Sequence, residues 1–188
     1  MSTVRHPYVR LSVRGQFRLL FGGLVVLGAA LVGVAVTTPA LITPLAPWGI
    51  VSWQLAGSSD QVAAILAGWG PEGRAVARSN LLVDLAFAPA YGLVIGLVAV
   101  RLAARRGRRR ATAGMSDLVA WAALLAALAD LAENALMLTV LAGGPTDVLA
   151  VATRALALTK FGLLAVALVL LFGLFAPRCR GGASIHPC

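Results

Sequence analysis

The stretch "DLVAWAALLAALADLAENALMLTVL", residues 117–141, decides the fold. It stays apolar for long enough to cross a hydrocarbon core of about 30 Å, which takes roughly 20 helical residues. Polar and apolar positions do not alternate in it, so it is not a strand of a membrane barrel. Three further windows share its character, near 17–37, 80–101 and 155–176. The chain of 188 residues is 60% hydrophobic and only 12% charged, with a mean hydropathy of +0.89. Soluble domains carry about a quarter charged residues. The reading is an all-α integral membrane four-helix bundle forming a single transmembrane domain over 1–188. Its outer loop is 38–79, a basic loop covers 102–116 and a tail covers 177–188.

A net charge of +9 in a soluble chain would suggest nucleic acid. Here the arginines sort by segment. Arg5, Arg10, Arg14 and Arg18 precede the first span. Arg101, Arg105, Arg106, Arg108, Arg109 and Arg110 follow the second, and Arg178 and Arg180 follow the fourth. The other two connections hold Arg74, Arg78 and Arg154, offset by Asp60, Glu72 and Asp147. This positive-inside pattern predicts a multi-pass inner-membrane protein with both termini and the "RRGRRR" loop in the cytoplasm. The 101–110 run then reads as a topology determinant touching anionic lipid, not nucleic acid.

The first apolar segment is long for a signal-peptide core, and no A-x-A site precedes "TTPALITP", so it is expected to be retained. Fifteen arginines against one lysine match the coding bias of a GC-rich bacterium. Cys179 and Cys188 lie in the cytoplasmic tail, where a stable disulfide is not expected. "CRGGASIHPC" offers three ligands at no metal-binding spacing, so no metal and no cofactor is expected.

The connection 38–79 is the most informative loop. Pro39, Pro44 and Pro47 in "PALITPLAP" exclude a continuous helix. Trp48 and Trp53 in "WGIVSWQLAGSS" fall where an outer interfacial belt would sit. Ser58 or Ser59 can cap a short helix from Asp60, "DQVAAILAGW", stopping at Gly68 or Gly70. Pro71 suits the first turn of the next helix. Val62, Ile65, Leu66 and Trp69 share one face of the short helix, which reads as an amphipathic extracytoplasmic element lying on the membrane or on the bundle. It covers helix ends or serves as a lid.

An aspartate, a glutamate and an asparagine sit within "LADLAENALML", residues 128–138. Asp130, Glu133 and Asn134 are spaced i, i+3 and i+4, hence on one face. With the predicted topology they lie about 10–16 Å below the outer surface at 1.5 Å per residue. Asn80 and Asp84 of the second span lie within about 6 Å of that surface, and Lys160 of the fourth is roughly 9 Å deep. Asn80, Asp84, Phe87 and Tyr91 form a stripe at steps of four, three and four. Pro89 is expected to disrupt the bond to the Leu85 carbonyl and leave a free acceptor beside Asp84. Ala88, Gly92 and Gly96 form a small-residue ridge for helix contact.

Each intramembrane charge costs about 2.5–3.5 kcal/mol on insertion scales, so these groups should face inward. One lysine cannot balance three carboxylates. An acid stays protonated, Arg154 or Arg78 joins from the rim, or a bound cation or ligand completes the charge. The candidate ligand-binding residues are therefore Asn80, Asp84, Tyr91, Asp130, Glu133, Asn134 and Lys160. Asp84, Asp130 and Glu133 are the candidates for any acid-base chemistry, Tyr91 a packed aromatic joining the network and Asn134 an orienter of a carboxylate.

The segments "GIVSWQLAGSSDQVAAILAGWGPEGRAVARSNLLVDLAFAPAYGL" (49–93) and "LADLAENALML" (128–138) together resemble a family of small bacterial four-helix membrane proteins. That resemblance implies an inner-membrane bundle and carries no activity with it. "DLAFAP", acid-x-x-Phe-x-Pro from Asp84 to Pro89, is similar to the second helix of emopamil-binding-protein-like (EXPERA) membrane proteins. This similarity implies a four-helix bundle binding a sterol-like ligand, with Asp84 as a ligand-contacting acid. The tandem "DLAEN" and the long outer loop depart from that pattern, and sterol isomerisation is not carried over.

Three functions follow. The first is a site that binds, or transforms, a hydrophobic or lipid-like molecule from the outer leaflet. The second is a structural or accessory subunit whose polar network fixes helix packing. The third is proton- or cation-coupled transport, which needs polar residues through the inner half. "GLVIGLVAV" (92–100) and "WAALLAALA" (121–129) supply none there, and four helices give a thin frame for alternating access unless the protein forms a homo-oligomer. No HExxH, GxSxG or phosphate-loop motif is present.

Overall fold

The computed structural model describes residues 5–106 and 110–175. The tail 177–188, with both cysteines, and residues 107–109 of the basic loop lie outside the described residues. The elements are a 3-10 turn at Pro7–Arg10, α1 (Val13–Thr37), a second 3-10 turn at Thr38–Leu41, α2 (Ile50–Gln54), α3 (Ser59–Arg105), α4 (Arg110–Gly143) and α5 (Asp147–Phe175). Four of these helices, α1, α3, α4 and α5, are long and apolar enough to cross a membrane. They outrun the apolar windows of the sequence, because a helix continues past the lipid boundary as long as its residues are good helix formers.

The chain runs up and down between two ends. The loop end holds residues 38–58 and the α4–α5 turn, and the basic end holds the chain start and the α3–α4 connection. α3, α4 and α5 pack mutually, whereas α1 packs chiefly on α3. Small residues permit the close approaches. A Cβ on Gly92 would stand 2.9 Å from Ala127 Cβ and 3.1 Å from the Ala123 carbonyl, and one on Gly33 would meet Val83 at 3.0 Å. In lipid such contacts, not water exclusion, hold helices together. The large side chains that α1 and α5 leave exposed, among them Phe21, Val36, Val169 and Phe172, face where acyl chains would lie.

The loop end is closed by a built cap. Ser58 Oγ accepts from the Gln61 N–H, and Gln61 Oε1 accepts from the Gly57 N–H at 2.8 Å, a reciprocal cap that starts α3. Ser59 donates twice to Asp147 Oδ1, at 2.8 Å from its N–H and 2.7 Å from its hydroxyl, tying the starts of α3 and α5 together. Gly70, at φ 61°, is the one non-helical residue inside α3, and Pro71 follows it. Only glycine takes that conformation without strain. Residues 59–69 therefore form a separate cap helix. Its Val62, Ile65, Leu66 and Trp69 are buried with Leu41, Trp53, Leu81, Met137 and Val140, so this face rests on the bundle. Trp53 is 1% exposed, packed edge-on to Trp69 at 5.9 Å. The expected interfacial belt is thus wrong for Trp53, because the cap's own core takes the ring. Trp48, by contrast, is 67% exposed.

At the basic end the 3-10 turn inserts Tyr8 against Leu97, Val100 and Ala120. A Cβ on Gly96 would lie 2.6 Å from the Tyr8 ring. Gly96 therefore accommodates an aromatic side chain of the N-terminal segment instead of a neighbouring helix, and the ridge of small residues is split between two partners. Pro89 also corrects an expectation. It leaves the dihedrals of α3 helical and is itself exposed. Five residues turn a helix by about 140° beyond a full turn, so Pro89 and Asp84 face different sides.

Candidate functional site

Asp130, Glu133 and Asn134 project from one face of α4 because their spacing follows the helical turn. That face meets α3 and α5. Lys160 on α5 reaches both acids, with Nζ 2.7 Å from Asp130 Oδ1 and 2.8 Å from Glu133 Oε2. From α3, the Tyr91 hydroxyl donates to Asp130 Oδ2 at 3.1 Å. Asn134 Nδ2 donates to Asp84 Oδ2 at 2.7 Å. Three helices are thus joined through six of the seven candidate residues. The seventh, Asn80, is buried one turn away and donates to Thr37 Oγ1 at 2.7 Å, linking α3 to α1.

Burial divides the cluster. Asp130, Glu133, Asn134, Tyr91 and Lys160 are at most 5% exposed, whereas Asp84 is half-buried. The stripe of Asp84, Phe87 and Tyr91 lies between the α1-facing side of α3, marked by Val83 against Gly33, and its α5-facing side, marked by Ile95 with Leu163 and Ala167. Leu27 of α1, Phe87 and Tyr91 of α3, and Leu163 and Leu164 of α5 share one apolar cluster. Asp84 is therefore the member of the polar network nearest to an opening, with an apolar aromatic wall beside it. Phe87 and Tyr91 meet edge-on at 5.4 Å.

The network holds three carboxyls and one ammonium. Neither Arg78 nor Arg154 is ion-paired with it among the described residues. Among the described residues, buried polar atoms remain without hydrogen-bond partners: Glu133 Oε1, Asn134 Oδ1 and, on α5, the Thr153 hydroxyl. Such atoms are costly to leave unsatisfied, and donors from a ligand or from buried water would relieve them. No group of three or more His, Cys, Asp or Glu side chains is arranged to hold a metal among the described residues.

The sequence reading overlooked Thr37, Thr153 and the buried Gln54. Thr153 stands two turns before Lys160 on the same side of α5 and is 2% exposed. Its spacing of seven from the lysine is the signal that could have found it. Thr37 offered no such signal, since its partner Asn80 lies on another helix. Below the cluster, toward the basic end, Ala99, Val119, Ala167 and Leu174 form one apolar core and Leu97, Val100 and Ala120 another, closed by Tyr8; the buried polar residues His6, Thr112 and Ser116 lie beyond them at that end. Compared with family models, curated proteins and solved structures, the chain gave no match, so the role of the site rests on its geometry.

Proposed function

We propose that this is a bacterial inner-membrane protein, both termini cytoplasmic, that binds a hydrophobic or lipid-like small molecule arriving laterally from the bilayer. The orientation rests on the arginine asymmetry, which puts the cap and the polar cluster on the extracytoplasmic side. The observation that carries the binding reading is the partly buried Asp84 at the edge of a network whose other members are sealed. One of its oxygens is held by Asn134, so the carboxylate is positioned and not free to swing. A cationic or hydrogen-bond-donating head group would meet Asp84, and its apolar body would lie along Phe87 and Leu27. Lys160, Asp130 and Glu133 act behind it as a fixed support. If a reaction occurs, Asp84 is the acid-base group within reach of a bound molecule.

A second reading, a structural or accessory subunit, is favoured by a specific feature. Lys160 bridges Asp130 and Glu133 wholly inside the bundle, as a device that fixes helix register would. Native mass spectrometry of gently extracted protein separates the two, comparing wild type with Asp84→Asn and Glu133→Gln. A discrete adduct lost in Asp84→Asn, with its thermal midpoint unchanged, is the expected result. No adduct in wild type, with Asp84→Asn as destabilised as Glu133→Gln, would leave only the structural reading.

A further inference from the structure

A second groove lies on the opposite side of α3 from Asp84, at the loop end between α3 and α4. It encloses about 410 Å³, with Arg74, Arg78 and Leu82 on α3 and Leu138, Leu141 and Ala142 on α4. Arg74, Arg78 and Leu82 follow one another at steps of four, so they form a single stripe. Leu82 is 52% exposed and lies about 6 Å deeper along the helix than Arg78. α4 runs antiparallel, which sets Leu141 beside the arginines and Leu138 deeper. Charge stands at the helix end and apolar surface runs toward the bilayer centre, the same polarity as a phospholipid.

The two arginines differ in their freedom. Arg74 Nε donates to the Leu66 carbonyl at 2.9 Å, in the last turn of the cap helix, which fixes its guanidinium in place. Arg78 is exposed and takes part in none of the ion pairs among the described residues. The acid closest to Arg74 in sequence, Glu72, lies two residues away and so does not share its face. Nothing in the groove neutralises the pair. Guanidinium groups match phosphate oxygens in both charge and geometry.

We propose that this groove holds one anionic phospholipid of the leaflet opposite the arginine-rich 101–110 loop. Its phosphate rests on Arg78 and Arg74, and an acyl chain follows Leu82, Leu141 and Leu138. The apolar floor selects a lipid over a free phosphate, which would have no use for it. This site is separate from the Asp84 cleft, so either can fail without the other.

The test uses full-length protein in neutral detergent, titrated with phosphatidylglycerol, phosphatidylcholine or inorganic phosphate. Lipid adducts retained in native mass spectrometry and the rise in thermal midpoint are the two readouts. Phosphatidylglycerol should bind wild type and raise its midpoint more than the other two. Arg78→Gln should weaken that binding about five-fold, and Leu82→Ala should weaken it without altering the preference for charge. Arg18→Gln, at the basic end, should bind as wild type does. Because Arg78 has no ion-pair partner to lose among the described residues, its variant should fold normally, which Arg74→Gln at the cap does not guarantee. Equal binding of phosphatidylcholine, an equal effect of inorganic phosphate, or undiminished binding by Arg78→Gln would each overturn the proposal.

Discussion

Lys160 on α5 stands 2.7 Å from Asp130 on α4, and the contact is sealed from both lipid and water. Removing one partner of a buried ion pair leaves an uncompensated charge, which costs about 3–5 kcal/mol. Lys160→Met is therefore expected to be severely destabilised in reversible unfolding from mixed micelles. The triple variant Lys160→Met, Asp130→Leu, Glu133→Leu should recover much of that loss. Equal instability of the single and triple variants would mean that the network's charges are not what Lys160 supports.

Inside the cap, Trp69 Nε1 donates a buried long-range hydrogen bond to the Leu41 carbonyl at 2.8 Å. Trp69→Phe keeps a ring against Trp53 but leaves the carbonyl without its donor. The expected loss is about 1–3 kcal/mol. Hydrogen exchange should rise locally, over residues 38–46, before any change in the spans. A uniform rise along α3 and α4 would show that the cap and the bundle unfold as one unit.

Tyr8, ahead of the first span, gives a pH dependence of known sign. Burial pushes its phenol up to about 12, against about 10 in an unfolded chain. The folded protein keeps a proton that the unfolded chain releases, so stability is full below about pH 10 and falls as pH rises toward 12. Tyr8→Phe removes the group and should flatten that alkaline decline. Its neutral-pH stability should be little changed, because the hydroxyl has no hydrogen-bond partner to lose among the described residues. The difference between the two thermal-midpoint profiles measures the effect, and identical profiles would contradict it.

The orientation makes its own prediction. A reporter active only in the cytoplasm, fused at Gly107, should be active, and the same reporter fused at Gly144 should be silent. The reverse pattern would place Asp84 and the cap on the cytoplasmic side.

Much of the frame was legible because lipid imposes simple rules. Length and apolarity alone mark the four spans, and the spacing of Asp130, Glu133 and Asn134 puts them on one face without any knowledge of the partner helix. What the chain could not disclose is pairing across helices. Asn80 shares its stripe with Asp84, yet it turns to Thr37, because α1 and not α4 lies over that side of α3. Trp53 has the composition of an interfacial anchor, but the prolines ahead of it fold the loop back so that its ring is enclosed. Tyr8 precedes every span and carries no periodic signal. Its place was decided by the absent Cβ of Gly96, which reads in sequence like any other small residue. The direction of Pro89 was recoverable from the helical period, and only its proximity to Asp84 in sequence suggested otherwise.

The attachment of α1 chiefly to α3 bears on how the chain is made. α1 leaves the ribosome first, but Val83 and Val94, which its Gly33 and Gly23 meet, are synthesised only after the whole cap. Until then α1 must reside in the bilayer alone. Its mean hydropathy of 2.6, the highest of the four spans, and its freedom from charge over most of its length suit it to that wait. α4, with its acids, has no such independence. Its acids meet an ammonium only when Lys160 arrives, so a later helix supplies the ion-pair partner of the one before it.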